Sequence, residues 1–302
     1  MLHPKVVRRT IFAAVLTILS LGVSQIAIPQ DDDTSKAIKA EVFIKNRPTK
    51  PTTRRPTVRY RPAVKVAVDP EAEVAPAGMT FAQVGVTFWR FRRSTVTDKT
   101  KELVEDEDGA VEWTLERIEE GTPLAPGQRV RFSIESLSRA GYLYVIDREQ
   151  YADGSLGEPV LIFPTQRTRD ANYVKPGRLI YIPSASGKFR IKPGEGPKPH
   201  VGELVTIIIA PEPLIDPERL DVRSIRLSRQ QVEDWEKQWG VSATRFEMAD
   251  GAGAAMTEKE QAAGANASTE LMQDDPVPQT VYRVTIKPEN PILLSVPMKF
   301  RR

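Results

Sequence analysis

The sequence predicts a mainly β protein, an antiparallel β-sandwich of immunoglobulin-like general character carrying two short flanking helices and preceded by a disordered arm. Three observations predict it. Val130, Phe132 and Ile134 alternate with Arg129, Arg131, Ser133 and Glu135, the two-residue period of a strand with one apolar and one wet face. The next run, Gly141-Tyr-Leu-Tyr-Val-Ile-Asp147, is almost continuously apolar and should occupy the middle of a sheet. Short segments of this kind recur between turns rich in Gly and Pro, at 125–127, 175–177 and 192–197, as they do in sandwiches and barrels.

Taken in chain order, the first element is a secretory signal at 1–27. Lys5, Arg8 and Arg9 precede an apolar run over 11–23, and small or polar residues follow around Ser24 and Ala27. The alternative is an uncleaved anchor, because 11–28 almost suffices to span a bilayer. Export implies a periplasmic or extracellular address. The chain has no cysteine, which excludes disulfides, thiolate metal sites and a lipidated N-terminal Cys. Disulfide-free export fits a bacterial envelope.

The second element is a basic, Pro-punctuated arm over 28–79. Between residues 36 and 65 there are ten Lys and Arg against Glu41 alone, whereas residues 66–302 carry a net −6. Pro48, Pro51, Pro56, Pro62, Pro70 and Pro76 interrupt it, and few apolar residues are present to repay chain entropy, so the arm should be disordered or locally polyproline II. Either it is a solvated tether or it contacts an anionic envelope polymer. Nucleic acid is a poor partner, since an exported chain rarely meets it and few aromatic side chains such as Tyr60 are available to stack on a base.

The sandwich domain is expected over 80–302. Strands are predicted at 84–91, 113–118, 130–137, 142–147, 159–163, 178–182, 188–192 and 203–210, with an acidic loop at 102–108. A helix should begin at Ser228, which forms a capping-box pattern with Gln231, while Leu227 and Val232 occupy the staple positions. Val232, Trp235 and Trp239 then share one face and Gly240 ends the helix, a stripe that reads as core packing rather than a ligand platform. A second capping box, Thr257 to Glu260, starts a helix ending near Gly264. Two β-branched strands, 282–286 and 292–296, close the chain, and Pro291 and Pro297 mark the last as an edge.

Several of these stretches together resemble a known family. Gly127-Gln-Arg-Val-Arg-Phe-Ser-Ile-Glu135, Gly141-Tyr-Leu-Tyr-Val-Ile146, Asp153-Gly154, Leu161-Ile-Phe-Pro164, Val174-Lys-Pro-Gly177, Ile182-Pro183 and Gly202-Glu-Leu204 look like the bacterial domain of unknown function 4384, over residues 121–214. Asp274-Asp-Pro-Val-Pro-Gln-Thr-Val-Tyr-Arg283 resembles segments of longer exported members. Similar domains are attached elsewhere to kinase-like or caspase-like catalytic domains, so the resemblance implies an accessory role. It brings no catalytic residues to carry over.

Catalytic constellations are scarce. His3 and His200 are the only histidines, which disfavours a zinc site or a Ser-His-Asp mechanism, and His200 lies in a turn-rich stretch that reads as surface loop. The polar turn 147–157 concentrates the carboxylates Asp147, Glu149 and Asp153, usable by a glycan hydrolase or for calcium, although Asp153-Gly154 is also an ordinary hairpin turn. No cofactor motif is present. The candidate binding residues are Arg148, Tyr151, Asp153, Arg167, Asn172 and Tyr173, on loops after successive strands, where aromatic faces beside hydrogen-bonding groups suit sugars or peptides. The expected function is therefore a non-catalytic envelope binding module that meets a protein or glycan. A carboxylate hydrolase and a structural spacer are the alternatives.

Overall fold

The computed structural model describes residues 37–49, 57–63, 74–106, 109–168, 171–184, 187–192, 198–265 and 268–301. The expected signal at 1–27 and the arm stretches 28–36, 50–56 and 64–73 lie outside them. The described residues belong to one compact unit, built from two antiparallel sheets.

In chain order the elements are β1 (Ile38–Lys39), α1 (Glu41–Ile44), β2 (Arg59–Pro62), β3 (Thr80–Arg93), β4 (Glu102–Asp106), β5 (Gly109–Ile118), β6 (Arg129–Ser136) and β7 (Gly141–Tyr151). They continue with β8 (Val160–Phe163), β9 (Tyr173–Val174), β10 (Leu179–Ile182), β11 (Phe189–Arg190), β12 (His200–Ala210), β13 (Ile225–Arg226), α2 (Arg229–Trp239), β14 (Thr244–Met248), α3 (Glu258–Ala265), β15 (Thr280–Ile286) and β16 (Ile292–Lys299). One sheet runs β1-β2-β14-β15-β3-β5-β4, with β6 on the other side of β3 and β10 and β11 paired to β6. The other runs β13-β8-β7-β12-β16, with β9 added to β7. The apolar strand β7 is central, as its composition predicts, and β16 is an edge.

The two sheets face each other across the main core. Val84, Val86 and Phe88 of β3 and Phe132 and Ile134 of β6 pack with Leu143 and Val145 of β7, Val205 and Ile207 of β12, and Leu294 and Val296 of β16. The outer faces are covered too. Tyr144, Ile146, Leu161 and Ile208 lie under α2 through Val232, with Trp235 and Trp239 stacked at 6.0 Å and partly buried against the same cluster. Trp89, Phe91, Leu115 and Tyr181 lie under α3 through Ala263. A sheet buried on both faces explains why β7 reads as a nearly unbroken apolar run.

That second layer corrects the reading of β6. Its supposed wet face is buried: Arg131, Ser133 and Glu135 are only 1–2% exposed. Each has a dedicated partner, as buried polar groups require. Arg131 makes a bidentate pair with Glu102 at 2.7 and 2.9 Å, Ser133 Oγ accepts from Trp89 Nε1 at 3.1 Å, and Glu135 accepts from Arg47 at 2.6 and 2.7 Å. Alternation reported chemistry rather than solvent. The acidic loop expected at 102–108 is corrected as well, since Glu102–Asp106 is strand β4, paired to β5.

The arm expectation is corrected for residues 37–49 and 57–63. Ile38, Ala40, Phe43, Ile44 and Tyr60 form a core of their own with Leu137, Phe246, Val277 and Val281. Ile38 pairs with Tyr60 and Tyr60 with Met248, so β1 and β2 extend the larger sheet beyond β14. Arg47 anchors the segment: besides Glu135, its guanidinium donates to the carbonyls of Met272, Asp275 and Pro276. Five scattered apolar side chains suffice because they share a pre-built wall. The outward residues Lys39, Lys45, Arg59 and Arg61 remain exposed.

The helix starts divide. At α3 the capping box forms, with Thr257 N donating to Glu260 Oε2 at 3.0 Å and Glu260 N to Thr257 Oγ1 at 3.2 Å. At α2 the N-cap is Ser228 but its side chain makes no capping bond. The staple carries that end instead, Leu227 and Val232 both being buried in the same cluster. Gly240 is the C-cap, with an extended rather than left-handed backbone (φ −64°). Among the described residues no helix is long and apolar enough to cross a membrane.

Candidate functional site

The inward rows of β7 and β12 change character at one end of the sandwich. Side chains two apart share a face, so Leu143 and Val145, which fill the core, are followed on that face by Asp147 and Glu149. Val205 lies opposite Asp147, and Glu203 lies opposite Glu149. Three carboxylates therefore line the space where the sheets part. Directly opposed residues of an antiparallel pair stand with Cβ atoms about 4.5–5.5 Å apart, where like charges destabilise.

The space is an open cleft of about 430 Å³, within the roughly 300–1,000 Å³ range of small-molecule sites. One wall holds Asp147, Glu149, Glu203 and His200, and Met298 and Phe300 continue it along β16. The facing wall is Phe132, Phe189, Arg190, Ile191 and Lys192. Phe132 and Phe189 stack at 6.1 Å, and His200 meets Phe300 edge-on at 4.9 Å. The cleft thus has an aromatic lining with its acids gathered on β7 and β12, while Arg190, opposite Arg129 in the β6–β11 register, turns to the outer face.

Burial sets the electrostatics. Desolvation first, and then the charges of Asp147 and Glu149, push the Glu203 carboxyl up to about 9. Desolvation also raises Asp147, to about 6, against the lowering effect of a backbone hydrogen bond from Arg148. Asp147 Oδ1 and Glu203 Oε2 are buried without a hydrogen-bond partner among the described residues. His200 is more notable. Its side chain is 4% exposed, and although Nε2 lies 3.2 Å from Glu203 Oε1, neither ring nitrogen completes a hydrogen bond among the described residues. Unpaired buried polar atoms cost about 1–3 kcal/mol each, and their concentration in one cleft is the pattern of a site awaiting a ligand. No three His, Asp or Glu side chains among the described residues gather as metal ligands would.

His200 is accordingly not the surface-loop residue its neighbours suggest; it opens β12 and points into the cleft. The six expected binding residues do not converge. Arg148 points to the outer face, where it is buried in an ion pair with Glu236 of α2. Tyr151 borders the cleft, its hydroxyl donating to Glu149 and its ring 6.1 Å from His200. Asp153 is exposed in the turn, accepting from Ser155 N at 2.9 Å and pairing with Lys198 at 2.9 Å. Arg167, Asn172 and Tyr173 lie at the far end of β7: Tyr173 pairs with Tyr142, and the Asn172 carbonyl accepts from Leu143 N at 2.7 Å. Arg167 is exposed and Asn172 buried.

The reason is topological. β7 and β8 form a hairpin, so the turn that joins them and the loop that leaves β8 are at opposite ends. Of the three expected carboxylates, Asp147 and Glu149 reach the cleft and Asp153 does not. The sequence reading misses Glu203 and leaves His200 on a surface loop, although the row Glu203, Val205, Ile207, Ile209 turns from apolar to acidic as the row Leu143, Val145, Asp147, Glu149 does.

In comparisons with known proteins, no family model matches the chain, and no curated protein or solved structure matches it significantly.

Proposed function

We propose that this chain is an exported binding module of the bacterial cell envelope, accessory rather than catalytic, whose ligand enters the cleft between the two sheets. The observation that carries this reading is the group of buried polar atoms that complete no hydrogen bond among the described residues, Asp147 Oδ1, Glu203 Oε2 and the His200 ring nitrogens, gathered in one aromatic-lined space. Folding a chain around unsatisfied groups costs stability, and a ligand that pairs them recovers it. The basic stretch at 1–27 with its apolar run supports export, and the resemblance to the domain of unknown function 4384 supports an accessory role. Exposed Lys39, Lys45, Arg59 and Arg61 provide a second, basic surface suited to an anionic envelope polymer.

One observation favours a hydrolase as the second reading. Asp147 and Glu203 share a cleft with carboxyls raised to different extents, which is how a general acid and its partner carboxylate are held in opposite protonation states. Incubating the purified chain with soluble peptidoglycan fragments and with envelope polysaccharide separates the two. The binding reading expects a fragment to be retained, recovered intact by mass spectrometry, and lost with Asp147→Asn. Cleavage that stops in Asp147→Asn or Glu203→Gln establishes the hydrolase; neither retention nor cleavage of any fragment contradicts both.

A further inference from the structure

The outer face of the larger sheet, turned away from the cleft, gathers arginines around one indole. Arg93 of β3 stands directly opposite Trp113 of β5, and Arg129 of β6 directly opposite Arg190 of β11. The guanidinium carbons of Arg93 and Arg129 lie 4.6 and 4.5 Å from the centroid of the same Trp113 ring. Cation–π attraction accounts for those two. It does not account for Arg190, because like charges directly opposed across a sheet destabilise it. The neighbouring acids are engaged by other cations: Glu102, opposite Trp113, by Arg131 at 2.7 and 2.9 Å, and Glu112 by Lys101 at 2.9 Å. Arg93 and Arg190 are exposed and form no ion pair among the described residues.

We infer that Arg93, Arg129 and Arg190 form an anion site around Trp113 that takes a phosphate dianion, free or as a phosphate monoester. The site is separate from the cleft and does not depend on it. An independent observation points to a missing acceptor: Trp113 Nε1, a group that can only donate, is buried without a hydrogen-bond partner among the described residues. The number of donors selects the ligand. Three guanidinium forks and an indole N–H exceed what the two oxygens of a carboxylate, or the two non-bridging oxygens of a phosphodiester, accept well. A phosphate dianion presents three terminal oxygens and two charges, and arginine forks match its geometry in pairs of hydrogen bonds.

The Trp113 indole N–H resonance of the full chain, assigned by its loss in Trp113→Phe, reports on this site in nitrogen-15 NMR spectra. Titrations at constant ionic strength use inorganic phosphate, glycerol 3-phosphate, the diester glycerophosphoglycerol and acetate, at about pH 8, where a phosphate with a second pKa of about 6 is a dianion. Inorganic phosphate or glycerol 3-phosphate should shift the resonance saturably, the tighter of the two distinguishing a free from an esterified ligand. It should bind at least about tenfold more tightly than acetate or the diester, the scale of one charge-assisted hydrogen bond. Arg93→Gln and Arg190→Gln should each weaken it by about tenfold or more, Arg190→Lys by less, and Arg167→Gln, exposed on a loop after β8, not at all. Circular dichroism of each variant establishes that it is folded. No saturable shift with either phosphate compound, equal affinity for acetate or the diester, or unchanged affinity in both Gln variants overturns the inference and leaves the arginines as surface packing on Trp113.

Discussion

Arg47 offers the sharpest test of how far the fold extends toward the N-terminus. Its side chain is fully buried, as is that of Glu135, and the two share a bidentate pair at 2.6 and 2.7 Å. Burial alone lowers an arginine's tendency to stay charged, yet the Glu135 carboxylate outweighs it and the guanidinium is held more strongly protonated than usual. Replacing Arg47 by Met removes that pair and strands the Glu135 carboxylate, which keeps only the Gly177 N–H at 3.0 Å. Breaking one side of a buried pair costs about 3–5 kcal/mol. For a unit of this size each kcal/mol lowers Tm by about 2–4 °C, so Arg47→Met should melt roughly 6–20 °C below the parent in thermal circular dichroism. Replacing both partners removes the stranded charge, so Arg47→Met/Glu135→Leu should regain most of the loss. Limited proteolysis of Arg47→Met should open first within 37–49. A melting temperature within about 1–2 °C of the parent, corresponding to under about 0.5 kcal/mol, would refute the claim that this segment is integral to the fold.

Three further outcomes follow from particular contacts. Glu203 is raised in the folded state from 4.5 to about 9, so its contribution to stability is fully present below pH 4.5 and is lost as pH rises through 9, Asp147 acting in the same direction through about 6. Glu149 and His200 are the other titratable groups beside it, and Arg190 and Lys192 only border the cleft on the strand across. Each unit of displacement is worth about 1.4 kcal/mol, so with solvent screening reducing the effect to about a third, Glu203→Gln should exceed the parent by about 2 kcal/mol near pH 9 and converge with it near pH 4 in urea titrations. Equal pH profiles would contradict the burial argument. Gly264→Ala, which in an open helix gains up to about 1 kcal/mol, should instead lose about 1–3 kcal/mol, because its Cβ would fall 1.9 Å from the Tyr181 ring; a gain would show that α3 does not press on β10. Arg167→Ala, at an exposed site at the far end of β7, should change neither stability beyond about 0.5 kcal/mol nor the retention of peptidoglycan or polysaccharide fragments.

The strands were legible wherever composition alone decides them. The predicted segments 84–91, 113–118, 130–137, 142–147 and 203–210 all fall on β3, β5, β6, β7 and β12, usually within a few residues. What stayed hidden depends on contacts between distant residues. Lys39, Arg59 and Arg61 look like a solvated arm because β1 and β2 are short and polar on one side, and the wall that orders them is supplied by Leu137, Phe246, Val277 and Val281, all far away in the chain. Arg131 and Glu135 look wet because their partners, Glu102 and Arg47, lie on other elements. For the site, Asp147 and Glu149 drew notice as a local cluster. Glu203 does not stand out and His200 reads as surface loop, because pairing β12 against β7 in register, which a single sequence does not display, is what brings them alongside. Arg167, Asn172 and Tyr173 were grouped with Arg148, Tyr151 and Asp153 by closeness along the chain, although a hairpin separates its two loops by the length of a strand.

The central claim is that ligand binds between the sheets, beside Asp147, Glu203 and His200. Methyl-resolved NMR of the full chain, titrated with the peptidoglycan fragments and the envelope polysaccharide, tests it most directly, because Ile162, Ile191, Val205 and Met298 line the cleft whereas Val174 and Leu179 report on the opposite end of the β7 hairpin and its neighbours. The account predicts saturable shifts at the first four methyl groups, none at the other two, and their loss in Asp147→Asn. Shifts confined to Val174 and Leu179, or unchanged spectra at saturating concentrations of every ligand, would contradict it.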